Sequence, residues 1–192
     1  DYTALEYVYD NGSDVQIKDY TIGQTIYANE EFLVDIDTDW SIAKCIFCLS
    51  RGTSYSPVRS SEILTNSEQP PYAICYSNGR SQRKAFNIPN TTVGRHKIRI
   101  ANGDAYFDEE LKYSFTPEFI EWMCDTATIY SSSTSPKTNT KVYRLYYENH
   151  FDFRPAMRKS DGKVGFYDEL NQTFVSSTTP VDFLAGPVKY DQ

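Results

Sequence analysis

The chain has 192 residues, 16 Tyr and 11 Phe among them, and a formal net charge of −7. That length can bury a sizeable core within a single domain spanning 1–192. The acidic balance disfavours a phosphate backbone as partner, because such partners reward clustered Lys and Arg, so no nucleic-acid partner is expected.

The one basic cluster, Arg80, Arg83 and Lys84, is short and isolated and fits a solvated loop. Tyr and Phe suit pleated, half-buried surfaces, and 15% aromatic residues lean the composition to β structure. The same rings suit a recognition surface, offering contact area at low entropic cost. No apolar run has bilayer-spanning length and DYTALEYVYD does not read as a signal peptide, so no membrane insertion is expected. A start without Met is what a processed product, or a piece of a longer chain, would show.

Strand signals begin at once. Leu5 to Tyr9 and Val15 to Tyr20 flank Asn11-Gly12, a hairpin signal because both central residues of the favoured turn need positive φ. In EEFLVDIDTDW, Phe32, Val34 and Ile36 alternate with Leu33, Asp35 and Asp37, which predicts a half-buried strand. Cys45 to Leu49 is apolar on both faces and predicts a central strand. Ser50 to Pro71 predicts a long loop with one short strand at Ile63-Leu64.

Tyr72 to Tyr76, Ala85 to Ile88 and His96 to Ala101 are further strands. Asn102-Gly103 turns the last of them back into Ala105 to Asp108. Pro117 to Asp125 has a helical look, with Pro in a first turn and Phe119, Ile120 and Met123 able to share a face. Thr128 to Ser131 is again a strand. From Lys141 the pattern is densest: VYRLYY, then FRPAMRK, Asp161-Gly162, KVGFYD and QTFVSS. Short strands at regular spacing with Asn-Gly and Asp-Gly punctuation predict an all-β antiparallel sandwich with at most one or two short helical turns.

Cys45 and Cys48 have the CxxC spacing of a zinc or redox site, but they fall in a strand-like run. Residues three apart on a strand point to opposite faces, and Cys75 and Cys124 add no second knuckle. Buried free thiols are therefore expected. The acidic row Asp35, Asp37 and Asp39 reads as a solvated strand face, with calcium binding and a carboxylate pair for glycoside hydrolysis as alternatives. His96 and His150 are the only histidines, and no nucleophile elbow, HExxH or phosphate loop occurs.

Lys141 to Pro187 resembles the C-terminal half of concanavalin A-like (laminin-G-like) jelly-roll domains. Such domains occur in tail, fibre and other virion proteins of phages that infect gut bacteria, and in secreted proteins of those bacteria. The likeness is carried by Val142, Tyr143, Leu145 and Tyr147, then Arg154, Pro155, Gly162, Gly165, Tyr167 and Asp168, then Phe174, and a tail with Phe183 and Gly186. Upstream, RHKIRIANGDAYFD is similar to that family's H-x-I-x-I-x-N-G hairpin.

The resemblance implies a concanavalin A-like jelly roll in a virion or extracellular setting. It further implies a binding or adhesion module for host cell-surface carbohydrate, without enzymatic activity. Alternatives are a structural virion protein that contacts other virion proteins and, third, a glycoside hydrolase. A symmetric homo-oligomer, for instance a trimer, is implied as well. Loop residues suited to stack on sugar rings or to take hydroxyls are Trp40, Arg51, Tyr55, Tyr72, Tyr76, Asn78 and Arg80. No cofactor is expected beyond calcium, for which Asp104, Asp108 and Glu109 are candidate ligands.

Overall fold

The computed structural model describes residues 1–10, 15–17, 20–27, 30–40, 44–50, 60–66, 72–78, 83–89, 91–114, 121–128, 130–131 and 139–190. The first strands are β1 (Tyr2–Ala4), β2 (Val8–Tyr9), β3 (Gln16–Ile17), β4 (Tyr20–Tyr27), β5 (Phe32–Asp37) and β6 (Lys44–Ser50). Next come β7 (Ser60–Asn66), β8 (Tyr72–Asn78), β9 (Arg83–Ile88), β10 (Arg95–Ala101), β11 (Asp104–Phe107) and β12 (Glu110–Ser114). The remainder are β13 (Glu121–Thr128), β14 (Tyr130–Ser131), β15 (Lys141–Tyr147), β16 (Phe151–Arg158), β17 (Val164–Asp168), β18 (Thr173–Ser176) and β19 (Leu184–Ala185). No helix occurs among the described residues.

An 11-stranded sheet runs β12-β11-β10-β5-β15-β16-β17-β18, with β1, β2 and β19 joined to its middle, and a 6-stranded sheet runs β4-β13-β6-β7-β8-β9. β3 and β14 form a separate pair. All pairing is antiparallel, so the protein is all-β and consistent with a β-sandwich.

Inward residues of the large sheet alternate as the period of two requires. Phe32, Val34 and Ile36 of β5, Ile98 and Ile100 of β10, and Phe151 and Phe153 of β16 join one core cluster. Phe86 and Ile88 of β9 belong to it, and Tyr20 of β4 packs on it. Both edges of the six-stranded sheet thus reach the inward face of the large one.

The β10–β11 hairpin forms where Asn102-Gly103 predicts it, with φ of 51° and 79°. Other expectations are corrected. β2 and β3 do not form the predicted N-terminal hairpin: β2 pairs with β15 and β19, and β3 with β14. Asn11-Gly12 lies outside the described residues.

The helical expectation at Pro117 to Asp125 fails over Glu121 to Asp125. These residues lie in β13, paired with β4, and β13 continues through Thr128 to pair with β6. Tertiary pairing has overridden a weak helical pattern, while 115–120 lie outside the described residues. The predicted loop over Ser50 to Pro71 contains a seven-residue strand, β7. A register shift between Cys45 and Phe47 puts Cys45 opposite Leu64 and Cys48 opposite Glu62, two positions apart on β7. The unbroken alternation that separated the two cysteines is interrupted there.

β15 and β16 part company midway. β15 pairs β16 only through Leu145 to Tyr147, and its Lys141 and Val142 pair β2 instead. β16 gives Ala156 to Arg158 to β1. Pro155, which has no N–H to donate, falls at this handover, and its carbonyl accepts from Leu5 N at 3.0 Å. The two ends of the chain fill the opening. Leu5 bridges Val188, Gly186 N donates to Tyr7 O at 3.0 Å, and Lys189 N donates to Ala4 O at 2.9 Å. A Cβ at Gly186 would lie 2.6 Å from Tyr7 O and 2.7 Å from its ring, so only glycine lets the closing segment lie this close.

Across the sheets, the Tyr20 hydroxyl donates to Asp168 Oδ2 at 2.8 Å. Burial, reinforced by Asp168, pushes the Tyr20 phenol well above the usual tyrosine range. Because the folded pKa exceeds the unfolded value of about 10, this stabilisation is complete below pH ~10 and fades as pH rises beyond it. Tyr20→Phe should therefore cost about 1–2 kcal/mol at neutral pH. Urea midpoints of the two proteins should converge as pH is raised above ~10. A constant gap would show that Tyr20 does not ionise as this contact requires.

Candidate functional site

The outward face of the large sheet carries the chemistry. Asp35 and Asp37 alternate with the core residues of β5, and register sets each of them between cations on both flanking strands. Asp35 lies opposite Lys97 of β10 and Arg144 of β15, and Asp37 lies opposite Arg95 and Lys141. Cross-strand pairs of opposite charge support such a sheet.

Arg95 does not take its direct neighbour. Its Nε and Nη2 reach diagonally to Asp35 Oδ1 and Oδ2, both at 2.7 Å, in a fork-to-fork pair. This hydrogen bond raises the Arg95 pKa above its already high value. Lys141 Nζ donates to Asp37 Oδ2 at 3.0 Å, which likewise holds the ammonium charged.

Asp35 is 4% exposed, not part of a solvated face, and β5 is buried on both sides. Arg95, Tyr143 and their neighbours cover it. With both oxygens taken by Arg95, Asp35 is poorly placed to act as nucleophile or acid. Asp39 is exposed beyond the end of β5.

A register shift between Val142 and Arg144 makes Tyr143 a bulge residue. Its ring lies 3.8 Å from the Arg95 guanidinium carbon and 5.3 Å from the Tyr7 ring. Lys141 Nζ sits over Tyr7 at 5.4 Å. Asp35, Arg95, Tyr143, Tyr7, Lys141 and Asp37 are thus linked in a continuous chain of contacts. Two more Arg–Tyr stacks share the face, Arg99 over Tyr106 at 4.1 Å and Arg144 over Tyr146 at 4.7 Å.

One β-strand over, Asp152 holds two guanidiniums. Arg144 Nε and Nη2 donate to its two oxygens at 2.8 and 2.9 Å, and Arg154 Nη2 donates to Oδ2 at 3.1 Å. Arg154 Nε lies 3.1 Å from Oδ1 but out of line for a hydrogen bond, so it is close in charge without being satisfied as a donor.

Where β15 and β16 separate, the sheet opens into a groove of about 840 Å³. Leu33, Asp35, Arg95 and Tyr143 line it from the sheet, with Arg154 beside them, and Glu6, Lys189 and Tyr190 line it from the two ends of the chain. No family model, curated protein or solved structure matches the chain.

The residues singled out from sequence lie mostly elsewhere. Trp40 is a correction: it is 1% exposed, its Nε1 donates to Gly94 O at 3.0 Å, and Phe107 packs edge-on at 5.7 Å. An indole enclosed in this way is core and cannot stack on an outside ring. Arg51, Tyr55 and Arg80 lie outside the described residues. Of Tyr72, Tyr76 and Asn78 only the strand position, in β8, is described.

The calcium candidates fall at turns around β11, where Asp108 and Glu109 have φ of 49° and 66°. Their oxygens already have donors. Asp108 accepts from Lys97 N at 2.9 Å and faces His96, while Glu109 accepts from Arg99 Nε at 3.0 Å. Asp104 accepts from the Tyr106 hydroxyl at 3.3 Å. No group of three or more metal-ligating side chains occurs among the described residues. Sequence reasoning passed over Tyr7, Tyr143, Arg95, Arg144 and Arg154 as site residues; the polar positions of VYRLYY and RHKIRIA were the available signal for Tyr143, Arg144 and Arg95, with none for Tyr7 and Arg154.

Proposed function

We propose that this chain is a non-enzymatic binding module that holds a carbohydrate in the outward-face groove. The observation that carries the reading is the pairing of Tyr faces with Arg and Asp side chains fixed by one another on a rigid sheet. Tyr rings suit the apolar faces of sugars, and oriented charged groups suit hydroxyls. Because Asp35 and Asp152 pre-set the guanidiniums, little side-chain entropy remains to be lost on binding. We further propose that the sandwich is a concanavalin A-like jelly roll on a virion or extracellular protein, with host cell-surface glycan as ligand.

A glycan array of bacterial surface polysaccharides tests this. Tyr143→Ala is expected to weaken binding about tenfold or more, equivalent to ~1.4 kcal/mol, and to lower the thermal midpoint modestly through loss of its contacts with Arg95 and Tyr7. Binding to no polysaccharide would favour the second reading, a structural virion protein in contact with other subunits. That reading is supported by exposed apolar side chains on the closing segment, Leu184, Val188 and Tyr190, exposed by 40%, 37% and 81%.

A further inference from the structure

We infer that the groove selects an acidic polysaccharide, bearing carboxylate or sulfate groups, over a neutral one; this rests on the carbohydrate reading above. The chain as a whole is acidic, 26 Asp and Glu against 19 Lys and Arg. The groove and the ladder beneath it reverse that balance. Arg95, Lys97, Lys141, Arg144 and Arg154 face Asp35, Asp37 and Asp152, five cations against three carboxylates. Adding Glu6, Glu169 and Lys189 from the groove lining leaves six against five. A local excess of positive charge on a chain that is acidic as a whole favours an anion in this groove.

The distribution of contacts points the same way. Arg95 is neutralised by its own carboxylate, but Arg144 and Arg154 share Asp152. The nearest further carboxylate, Glu169, stands 3.7 Å from Arg154 Nε and is 56% exposed, so it competes weakly with a ligand. Lys97 and Lys189, both lining the groove and both exposed, have no carboxylate partner among the described residues. Two ammonium groups without a carboxylate partner and a guanidinium pair that shares Asp152 thus line the same groove as Tyr143. A carboxylate or sulfate on a sugar in that groove would set a full negative charge against these cations, whereas a hydroxyl accepts from the same donors without a charge of its own.

The test uses the whole chain and two matched pairs of probes: polygalacturonate with its carboxyl-reduced form, and dextran sulfate with dextran. At about 0.15 M salt, where the Debye length is ~8 Å, at least one acidic member should bind about tenfold or more tighter than its neutral partner. Which pair discriminates separates carboxylate from sulfate as the recognised group. Lys97→Gln, which places no second carboxylate opposite Asp35, should reduce that preference severalfold; an unchanged acidic-to-neutral ratio in this variant would overturn the inference.

Equal binding of acidic and neutral members would overturn the inference and leave the carbohydrate reading standing. Binding of neither member of either pair, together with a blank polysaccharide array, would remove both. An oligothymidylate bound as tightly as the acidic glycan would show unselective attraction of polyanions, and that too overturns the inference.

Discussion

Replacing Asp168 by Ala is expected to cost about 4 kcal/mol, a large share of the 5–15 kcal/mol that holds a typical domain folded. The carboxylate is 0% exposed and accepts from donors on three sides. Oδ1 takes Asp152 N at 3.0 Å, Leu170 N at 3.1 Å and Asn171 N at 3.3 Å. Oδ2 takes the Tyr20 hydroxyl at 2.8 Å and Asn171 Nδ2 at 2.7 Å.

Ala leaves all five without this acceptor. Water can rescue Leu170 and Asn171, which lie in the exposed β17–β18 turn. Asp152 N and the Tyr20 hydroxyl are part-buried and less easily rescued, and each unsatisfied buried donor costs roughly 1–3 kcal/mol. Loss of anchorage between the two sheets adds to that.

The urea midpoint should fall with little change in slope, as for a stability change without a change in exposed surface. Asp168→Asn keeps one acceptor oxygen and should lose less than half as much. Equal losses from the two variants would mean that shape, rather than acceptance, sets the role of this residue. Because Asp152 N donates to Asp168 while the Asp152 side chain orients Arg144 and Arg154, Ala should also weaken the proposed carbohydrate binding.

That hub explains what was and was not legible in the sequence. The strands from Lys141 onward and the hairpin at Asn102-Gly103 follow from alternation and turn chemistry, which act over a few residues. The acidic row on β5 could not be interpreted the same way. Its partners come from β10 and β15, and Arg95 is 60 residues from Asp35 while Lys141 is 104 from Asp37. A carboxylate on a strand looks solvated until its neighbours are known, and register between distant strands is set by the whole sheet.

Trp40 failed for a related reason. Its local context is a turn, but the Gly94 carbonyl that receives its N–H is 54 residues away. The groove was hidden most completely. It arises from the parting of β15 and β16 and the insertion of both chain ends between them, and Tyr143 faces it through an irregularity that strict alternation cannot foretell. The aromatic and Arg content of VYRLYY was visible; its gathering with HKIRIA into one surface was not.

Gly165→Ala is expected to be the most damaging single-methyl substitution in the closing half of the chain, at about 3 kcal/mol, the upper end of the usual cost of overpacking. Gly165 lies between β16 and β18, paired with Ala156 on one side and Ser176 on the other. A Cβ there would fall inside van der Waals distance of Val175 O and would lie only 3.0 Å from Ser176 Cα and 3.1 Å from Val175 C. All three are backbone atoms, so no side chain can rotate away; the two strands must move apart, and β18 is the edge strand with less to hold it.

Gly162 provides the internal comparison. It needs glycine for a different reason, φ of +72°, and a Cβ there would meet nothing within 4 Å. Gly162→Ala should therefore cost only the left-handed backbone penalty of about 1–2 kcal/mol. Amide exchange separates the two mechanisms. Gly165→Ala should expose the β17–β18 ladder amides selectively while protection in β10 and β5 is retained, whereas Gly162→Ala should leave that ladder protected. Uniform loss of protection from Gly165→Ala would show that β18 is not a separable edge but part of the unit on which the whole sheet depends.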